Sequence, residues 1–300
     1  MNALILVNPH AAGGRARRLM PLMKDQCELY RSLCEELILE MPESIEAGLH
    51  LLRQASPGTR VVIVGGDGTL NQMLPGLMNP SFEIGLVPYG SGNDCARAWG
   101  LHGMKWPEAL QFALSGQARR MDIGSVELSN GRTHYFHSSL AVGFDASVGN
   151  RALAGPKSLS GLPRYLLATF RELANLRNWD MRISTDGVMV HQGTSLLAST
   201  LNTASYGGGM PAVPHAQIND GQLNLLMAGQ FNRLQTLWML PRLLLGLHLG
   251  HSRIKCEAFQ SAEIHCTELL PLAADGESLG HADHLKIQVL PSALNVVRKK

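Results

Sequence analysis

One segment constrains the fold more than any other, because it joins an uninterrupted apolar run to a glycine-rich turn. Residues 61–64 are all Val or Ile, and residues 65–69 read Gly-Gly-Asp-Gly-Thr. An apolar run bounded by glycines predicts a fully buried strand, which is typical of a parallel sheet. Residues 69–78 have the pattern of a helix. A strand, a tight turn and a helix in this order predict an α/β sheet for this part of the chain.

The turn itself has the properties of a phosphate-binding loop. Glycines let backbone N–H groups approach an anion closely, and the N-terminus of the following helix adds a favourable dipole. Asp67 would repel a bare phosphate, so it suits a site where Mg²⁺ lies between the two anions, or where a carboxylate handles a proton. The alternative is an ordinary turn in which Asp67 caps the helix.

Elements on both sides of this turn continue the alternation of strand and helix. Strands are predicted at residues 3–7, 37–39, 60–64 and 84–87, and helices at residues 15–33, 44–54, 69–78, 93–99 and 106–115. Ser44 is the predicted N-cap of the second helix, with Glu46 in its first turn. This order predicts a parallel sheet with helices on both faces.

The pattern changes near residue 122, where short alternating strands replace the β-α order. Residues 122–128 and 134–138 flank an Asn-Gly turn, which is a strong hairpin signal. Further strands are predicted at residues 179–184, 188–192, 195–202, 223–227 and 285–290, and a helix at residues 163–176. We therefore predict a first domain over residues 1–122 and a β-rich second domain over residues 123–284.

A strongly apolar stretch at residues 234–249 predicts a helix that Pro241 breaks and that carries Arg242. The simplest interpretation is a helix packed on the second domain. The alternative is a surface that touches a bilayer or guides a lipid chain.

Composition and charge argue against several classes of protein. The chain has 300 residues and a formal net charge of +2, so no bulk basic charge favours a nucleic-acid partner. It has no run of about 18 apolar residues, and its N-terminus lacks the pattern of a signal peptide. Its five cysteines form no CxxC pair. Free thiols in the cytoplasm are therefore expected.

Two other turns and one histidine pair carry candidate chemistry. The segment Pro88–Asp94 follows a strand and opens a helix, so it is a candidate second wall of a nucleotide site. Residues 273–277 place two carboxylates around a glycine, which suits proton abstraction or metal binding. His281 and His284 have HxxH spacing, which alone is a weak metal signal that more often marks surface residues. The chain has no P-loop and no complete GxGxxG.

Together these segments resemble the diacylglycerol kinase catalytic-domain family, which includes bacterial diacylglycerol and YegS-like lipid kinases, sphingosine kinases and ceramide kinases. The resemblance covers nearly the whole chain, and the joint pattern is more specific than its single pieces. In family order the pieces are Val7-Asn8-Pro9 with Gly13-Gly14, Gly65 to Thr69, Pro88 with Gly90 to Asp94, Asp122-Ile123-Gly124, Gly207 to Met210 with Pro214, Asn219-Asp220-Gly221, and Asp275-Gly276-Glu277.

The resemblance implies a fold and an activity. The implied fold is an N-terminal α/β nucleotide-binding domain with a parallel sheet of the NAD-kinase/phosphofructokinase-like kind, followed by a C-terminal antiparallel β-sandwich domain. The last strand, residues 285–297, is expected to return to the first domain. The implied activity is transfer of the γ-phosphate of ATP, with Mg²⁺, to the hydroxyl of a lipid such as diacylglycerol.

The resemblance also implies site residues. Asp275 is the expected base, with Asp67 as the competing candidate and Glu277 as a further catalytic residue. The implied nucleotide contacts are Asn8, Gly65, Gly66, Gly68, Thr69, Gly90, Ser91, Gly92 and Asn93. The implied metal ligands are Asp67 and Glu277, with Asp220 at a structural metal site, and Asp122 belongs to the interdomain network.

Two departures from the family pattern bear on these expectations. Gln72 stands where family members often have Glu after the first glycine-rich turn. Asn219 and Asn224 stand where the bacterial branch has aspartates. The second change removes two carboxylates and weakens the case for a structural Mg²⁺ at Asp220.

The expected partner is a lipid substrate at the inner membrane surface, reached by peripheral contact, with no nucleic-acid partner and with homodimerisation left open. Two alternatives stay open as well. One is an NAD kinase-like or other small-molecule kinase, and the other is a protein that binds nucleotide or lipid without turnover. The segments at residues 88–94 and 275–277 favour the lipid kinase.

Overall fold

The computed structural model describes residues 2–90, 92–155, 159 and 161–299. The chain divides into two compact units. The first contains the residues up to Met121 together with those from Ser292 onward, and the second is Asp122–Pro291.

The first unit alternates strands and helices close to the predicted positions. Its strands are β1 (Asn2–Val7), β2 (Glu36–Glu40), β3 (Arg60–Gly65) and β4 (Glu83–Pro88), and its α-helices are α1 (Met20–Tyr30), α2 (Ile45–Gln54), α3 (Asp67–Leu77), α4 (Asp94–Ala98) and α5 (Trp106–Ser115). Strand β1 pairs in parallel with β2 and β3, and β3 pairs in parallel with β4. The predicted α/β domain with a parallel sheet is confirmed.

Local signals in this unit act as the sequence predicts, with one exception. Every residue of β3 is buried, and the Ser44 hydroxyl caps α2 by accepting a hydrogen bond from the Ala47 N–H at 3.2 Å. The exception is the helix predicted at residues 15–33. A 3₁₀ segment (Ala11–Leu19) precedes α1, because Ala12, Gly13 and Gly14 have positive φ and interrupt the α-helical path.

The second unit is built mainly from antiparallel strands. The remaining strands are β5 (Ala118–Leu128), β6 (Thr133–Phe136), β7 (Ser139–Val142), β8 (Trp179–Thr185), β9 (Val188–Leu201), β10 (Leu223–Gly229), β11 (Ile254–Phe259), β12 (Ser261–Ala274) and β13 (Glu277–Val297), and the remaining α-helices are α6 (Phe144–Leu153), α7 (Leu162–Glu172) and α8 (Arg233–Leu244). Strand β12 pairs antiparallel with β7, β8 and β13, and β9 pairs antiparallel with β7, β8 and β10. The predicted β-rich fold of this unit is confirmed.

Several elements of the second unit differ from the prediction. No helix was predicted at residues 144–153, where the structure has α6, and no strand was predicted at β11. Strand β9 continues through Gly193, where two shorter strands were predicted. Helix α8 contains Pro241 and does not break there; it starts on a complete capping box between Asn232 and Gln235 and ends three residues after the proline.

Strand β13 is longer than the predicted segment and reaches from the second unit into the first. Its residue Val296 pairs in parallel with Ile84 of β4. Both of these residues belong to the first unit.

All five cysteines are free, as predicted. Burial raises the pKa of Cys27 and of Cys256 to about 11, so both stay protonated near neutral pH. In the described ranges, the helices all fall short of the length and apolarity that crossing a bilayer requires.

Candidate active site

The turn between β3 and α3 presents backbone N–H groups at the start of the helix. The N-cap residue is Gly66, which has no side chain to cap the helix. The first intrahelical bond is donated by the Leu70 N–H to the Gly66 carbonyl, at 3.1 Å. The amides of residues 67–69 therefore precede the helical ladder, and such a helix end stabilises an anion through its N–H groups and its dipole.

The glycines of this turn are required by close packing as well as by backbone freedom. A Cβ on Gly65 would lie 2.6 Å from the Thr69 hydroxyl. A Cβ on Gly66 would lie 2.8 Å from the Cα of Gly90, and one on Gly90 would lie 2.5 Å from the Cα of Gly66. The Tyr89 N–H also donates to the Gly65 carbonyl at 2.7 Å. The loops that follow β3 and β4 thus touch backbone to backbone, which only glycine allows.

Asp67 is the first residue of α3, and its carboxylate joins the two loops. It accepts hydrogen bonds from the N–H groups of Asp94 (2.9 Å) and Cys95 (3.0 Å) at the start of α4. The carboxylate therefore caps α4 from a neighbouring element. Asp67 is half-buried, so part of it remains accessible.

Asn8 and Thr69 meet at the same edge of the sheet. The Asn8 side-chain amide donates to the Thr69 hydroxyl at 2.7 Å, and its carbonyl oxygen accepts from the His10 N–H at 2.9 Å. Both residues follow the carboxyl ends of parallel strands, β1 and β3, which is where ligands bind in open α/β sheets. The carboxylate of Asp67, the hydroxyl of Thr69 and the amide oxygen of Asn8 are hard oxygen donors of the kind that Mg²⁺ prefers.

The loop after β4 is held by Asn93. This residue has a left-handed φ of 54°. Its side-chain amide donates to the Gly90 carbonyl at 2.9 Å, and its side-chain oxygen accepts from the Gly90 N–H at 3.1 Å. A Cβ on Gly92 would lie 3.2 Å from the Asp67 carboxylate. Asn93 therefore shapes the loop, while the predicted contact Ser91 lies outside the described residues. Gly68 is the second residue of α3.

In the second unit, Asp275 occupies the tip of the β12–β13 hairpin. It has a left-handed φ of 48°, and Gly276 after it has φ 86°. One carboxylate oxygen accepts from the N–H groups of Ser138 (2.8 Å) and Ser139 (2.9 Å). The other accepts from the His137 N–H at 2.8 Å and lies 3.3 Å from His137 Nε2. A carboxylate offers about four lone-pair positions, so these four contacts occupy them. The side chain has no exposed surface.

The other predicted residues of this unit lie in different surroundings. Glu277 is half-buried at the start of β13, opposite Ala274. Asp220 is exposed and accepts a hydrogen bond from the N–H of Gln222 at 3.1 Å. Within the described residues, Asp220 does not belong to any group of three or more histidine, cysteine, aspartate or glutamate side chains that lie close enough to share a metal ion. Asp122 is buried and accepts from the Gly221 N–H at 2.7 Å.

An apolar cavity of about 90 Å³ lies inside the second unit. Strands β9 and β10 and helices α6, α7 and α8 contribute to its wall. Phe144, Val148, Leu226 and Met239 are among the apolar residues that line it.

One buried carboxylate, Asp145, lies on the wall of this cavity. Its oxygens accept hydrogen bonds from the hydroxyls of Tyr165 and of Ser199, the latter at 3.0 Å. The ring of Tyr206 meets that of Tyr165 edge to face, with centroids 6.0 Å apart. Burial raises the pKa of Asp145, although its hydrogen bonds oppose the rise. Burial and the charge of Asp145 raise the pKa of Tyr165 well above its usual value.

Sequence reasoning missed this group, because its members come from α6, α7 and β9 and no local spacing relates them. The one signal was Asp145 itself, an acidic residue directly after the apolar pair Gly143-Phe144. By contrast, Asn8, Asp67, Thr69 and the glycines of the two loops, which the family resemblance implied as site residues, lie together in the first unit.

Two family models match the chain. The diacylglycerol kinase catalytic domain matches residues 2–126. The YegS C-terminal NAD kinase beta sandwich-like domain matches residues 138–298.

Curated relatives match most of the chain. A diacylglycerol kinase of Mycobacterium tuberculosis is 32% identical over 255 residues, which cover 84% of this chain and 81% of the relative. A probable YegS-like lipid kinase of Chromohalobacter salexigens is 32% identical over 253 residues, which cover 82% and 79% of the two chains.

Solved structures share the fold at low identity. A putative diacylglycerol kinase from Bacillus anthracis has a TM-score of 0.79 and 19% identity, over 99% of this chain and 97% of the other. An NAD kinase from Archaeoglobus fulgidus in complex with ATP has a TM-score of 0.57 and 13% identity, over 100% of this chain and 94% of the other.

Proposed function

Because the chain belongs to the diacylglycerol kinase catalytic-domain family and is a lipid kinase, we propose that it transfers the γ-phosphate of ATP to the hydroxyl of diacylglycerol. The observation that supports a lipid as the acceptor is the apolar cavity in the second unit. Such a cavity suits an acyl chain, and the buried polar group around Asp145 on its wall suits the point where a chain meets an ester or hydroxyl.

The cavity must widen to admit a chain. Its volume of about 90 Å³ is below the ~150 Å³ of an apolar cavity that binds benzene. Met239, Leu240 and Leu243 of α8 line it, so an outward shift of α8 would enlarge it. We therefore propose that α8 is a movable wall of the cavity.

The opposite face of α8 suits contact with a bilayer. Leu234 is 70% exposed and Trp238 is 78% exposed. Arg233 and Arg242 flank them, and the helix has no acidic residue. An amphipathic tryptophan between arginines is suited to the headgroup region of an anionic membrane. This arrangement supports peripheral membrane contact, with α8 between the bilayer and the cavity.

The first unit supports the nucleotide half of the proposal. The amides at the start of α3 would hold phosphate oxygens, and Asp67, Thr69 and Asn8 would hold Mg²⁺. When bound, ATP supplies the phosphoryl group and Mg²⁺ offsets its charge. Asp67 would then help to hold Mg²⁺ without excluding the phosphate groups, because the cation offsets the repulsion between the carboxylate and the phosphate.

We also propose that Asp67 accepts the proton of the lipid hydroxyl. The lipid hydroxyl must lose its proton as its oxygen bonds to phosphorus and the bond from phosphorus to the departing ADP oxygen breaks. The sequence favoured Asp275 for this task, but its side chain has no exposed surface and its oxygens accept from three N–H groups. Asp67 lies at the start of α3, the helix end proposed to hold the phosphate groups. We assign the proton to Asp67, and to Asp275 the task of holding the hairpin that carries Glu277.

The test is a transfer assay with purified protein, γ-labelled ATP and Mg²⁺. The acceptors are diacylglycerol, phosphatidylglycerol, sphingosine and ceramide in mixed micelles, and NAD in solution. We expect label in diacylglycerol. Label in another lipid would correct the acceptor, label only in NAD would contradict the proposal, and nucleotide binding without transfer would support a binding protein.

Three variants separate the roles. Asp67→Asn should lower kcat about 10²–10⁴-fold, and Asp275→Asn should retain most of its turnover while folded. Asp220→Asn, at an exposed turn, is the matched control and should match the unmodified protein. Normal turnover in Asp67→Asn, or its loss in folded Asp275→Asn, would reverse the assignment of the base.

A further inference from the structure

Three potential metal ligands lie together on the outward face of the β12–β13 hairpin. They are Glu263 and His265 of β12 and His284 of β13, and their ligand atoms all lie within 4.8 Å of one another. Over the ranges that the structure describes, no other three histidine, cysteine, aspartate or glutamate side chains come this close.

Sheet geometry produces this group. Glu263 and His265 are two residues apart, so they share a face of β12. His265 lies directly opposite His284 in the antiparallel register. The two imidazoles stack with their centroids 3.9 Å apart at 14°, and His265 Nε2 is 3.7 Å from a Glu263 oxygen.

One nitrogen of this group is without a partner. His284 Nε2 is shielded from solvent and makes no hydrogen bond within the part of the chain that the structure describes. A shielded polar atom left without a hydrogen bond is destabilising, and a metal ion would satisfy it. The imidazole of His265 stacks on the His284 ring, and the carboxylate of Glu263 lies in the same group.

Arg182, opposite His265 on β8, adds positive charge and works against a bound cation.

We propose that Glu263, His265 and His284 bind one divalent transition-metal ion of the zinc type. Two imidazoles and one carboxylate form a ligand set that suits Zn²⁺ and leaves a fourth position for water. Bonds of about 2.0–2.1 Å place tetrahedral ligands roughly 3.3 Å apart. The exposed Glu263 and His265 side chains would close the remaining gap by rotation.

This site differs from the one that HxxH spacing suggested. His281 is exposed on β13 opposite Pro271 and does not belong to the group. The partner of His284 instead comes from β12. The ion would join the two strands of the hairpin whose tip carries Asp275.

The experiment measures Zn²⁺ binding by untagged, metal-free protein in competition with a chromophoric chelator, with Co²⁺ absorption as a report of the ligand set. We expect one tight equivalent. His265→Ala and His284→Ala should each weaken it by about 100-fold or more, since even residues behind the ligands change affinity 10–100-fold. His281→Ala is the matched control and should bind as the unmodified protein does.

Thermal unfolding in EDTA establishes that each variant is folded, and Glu263→Gln tests the third ligand without removing its bulk. Added Zn²⁺ should raise the unfolding temperature of the unmodified protein and of His281→Ala but not of His284→Ala. Affinity unchanged in both His265→Ala and His284→Ala, or an equal loss in His281→Ala, would overturn the proposal, as would the absence of a tight equivalent.

Discussion

Replacing Asp275 with asparagine tests the hydrogen bonds at the tip of the β12–β13 hairpin. Asparagine tolerates the left-handed φ of 48°, so the backbone should keep its path. The substitution removes the negative charge and turns one acceptor oxygen into an NH₂ donor. The substitution therefore weakens or removes the buried hydrogen bonds that the carboxylate accepts from residues 137–139.

The cost follows from the contacts. If the amide oxygen takes the position that serves Ser138 and Ser139, the His137 N–H faces another donor. One buried N–H without a partner costs about 1–3 kcal/mol, and two bonds that lose their charge cost ~1 kcal/mol each. We expect Asp275→Asn to lower the free energy of unfolding by about 3–5 kcal/mol.

The assay is urea unfolding at neutral pH, with Asp186→Asn as the matched control. Asp186 also precedes a glycine in a hairpin turn, has φ 49° and accepts from the N–H groups of Gln260 and Ser261, but it is exposed. Water can replace its lost contacts, so its cost should stay below about 1 kcal/mol. If Asp275→Asn costs no more than Asp186→Asn, the four contacts do not hold the hairpin and the reasoning fails.

Three further predictions concern other parts of the molecule. Gly90→Ala places a Cβ 2.5 Å from the Cα of Gly66 and should lower the free energy of unfolding by about 1–3 kcal/mol. Gly149→Ala, in open space within α6, should raise it by about 0.5–1 kcal/mol. Denaturant midpoints test both changes. Trp238→Ala should lower activity on anionic vesicles about tenfold or more but leave activity on a short-chain soluble lipid unchanged, while the control Leu269→Ala, 61% exposed, should change neither; equal losses on both substrates would refute membrane contact. Because burial raises the pKa of Asp145, the stability of the protein relative to Asp145→Asn should be greatest below about pH 4 and decline as pH rises through the raised pKa; urea midpoints that vary with pH in parallel would contradict this.

Local signals explain why much of the fold could be predicted. The apolar run of β3 identifies a buried strand by itself, and the Ser44 cap requires only residues within four positions of each other. Helix α6 was missed because its first half reads Gly-Phe-Asp-Ala-Ser-Val-Gly, which has no clear helical period. Pro241 was weighted as a breaker, although the capping box at residues 232–235 secures the helix start.

The candidate sites also differ in how far local sequence could predict them. The loops of the first unit follow directly from their strands, so Asp67 and Thr69 could be predicted from the turn itself, while Asn8 was predicted from the family resemblance. Their packing was not, since the approach of Gly66 to Gly90 depends on strand order. The group around Asp145 and the pair His265 and His284 depend on which distant strands and helices meet, and no spacing within one segment encodes that.

The placement of β13 has a consequence for the order in which the protein can assemble. Val296 pairs with Ile84, and the whole second unit lies between them in sequence. The first unit therefore cannot complete its sheet from one continuous segment, because residues on both sides of the second unit must meet. Closing so large a sequence separation is slow, so the pairing of β13 with β4 is expected to form late in folding.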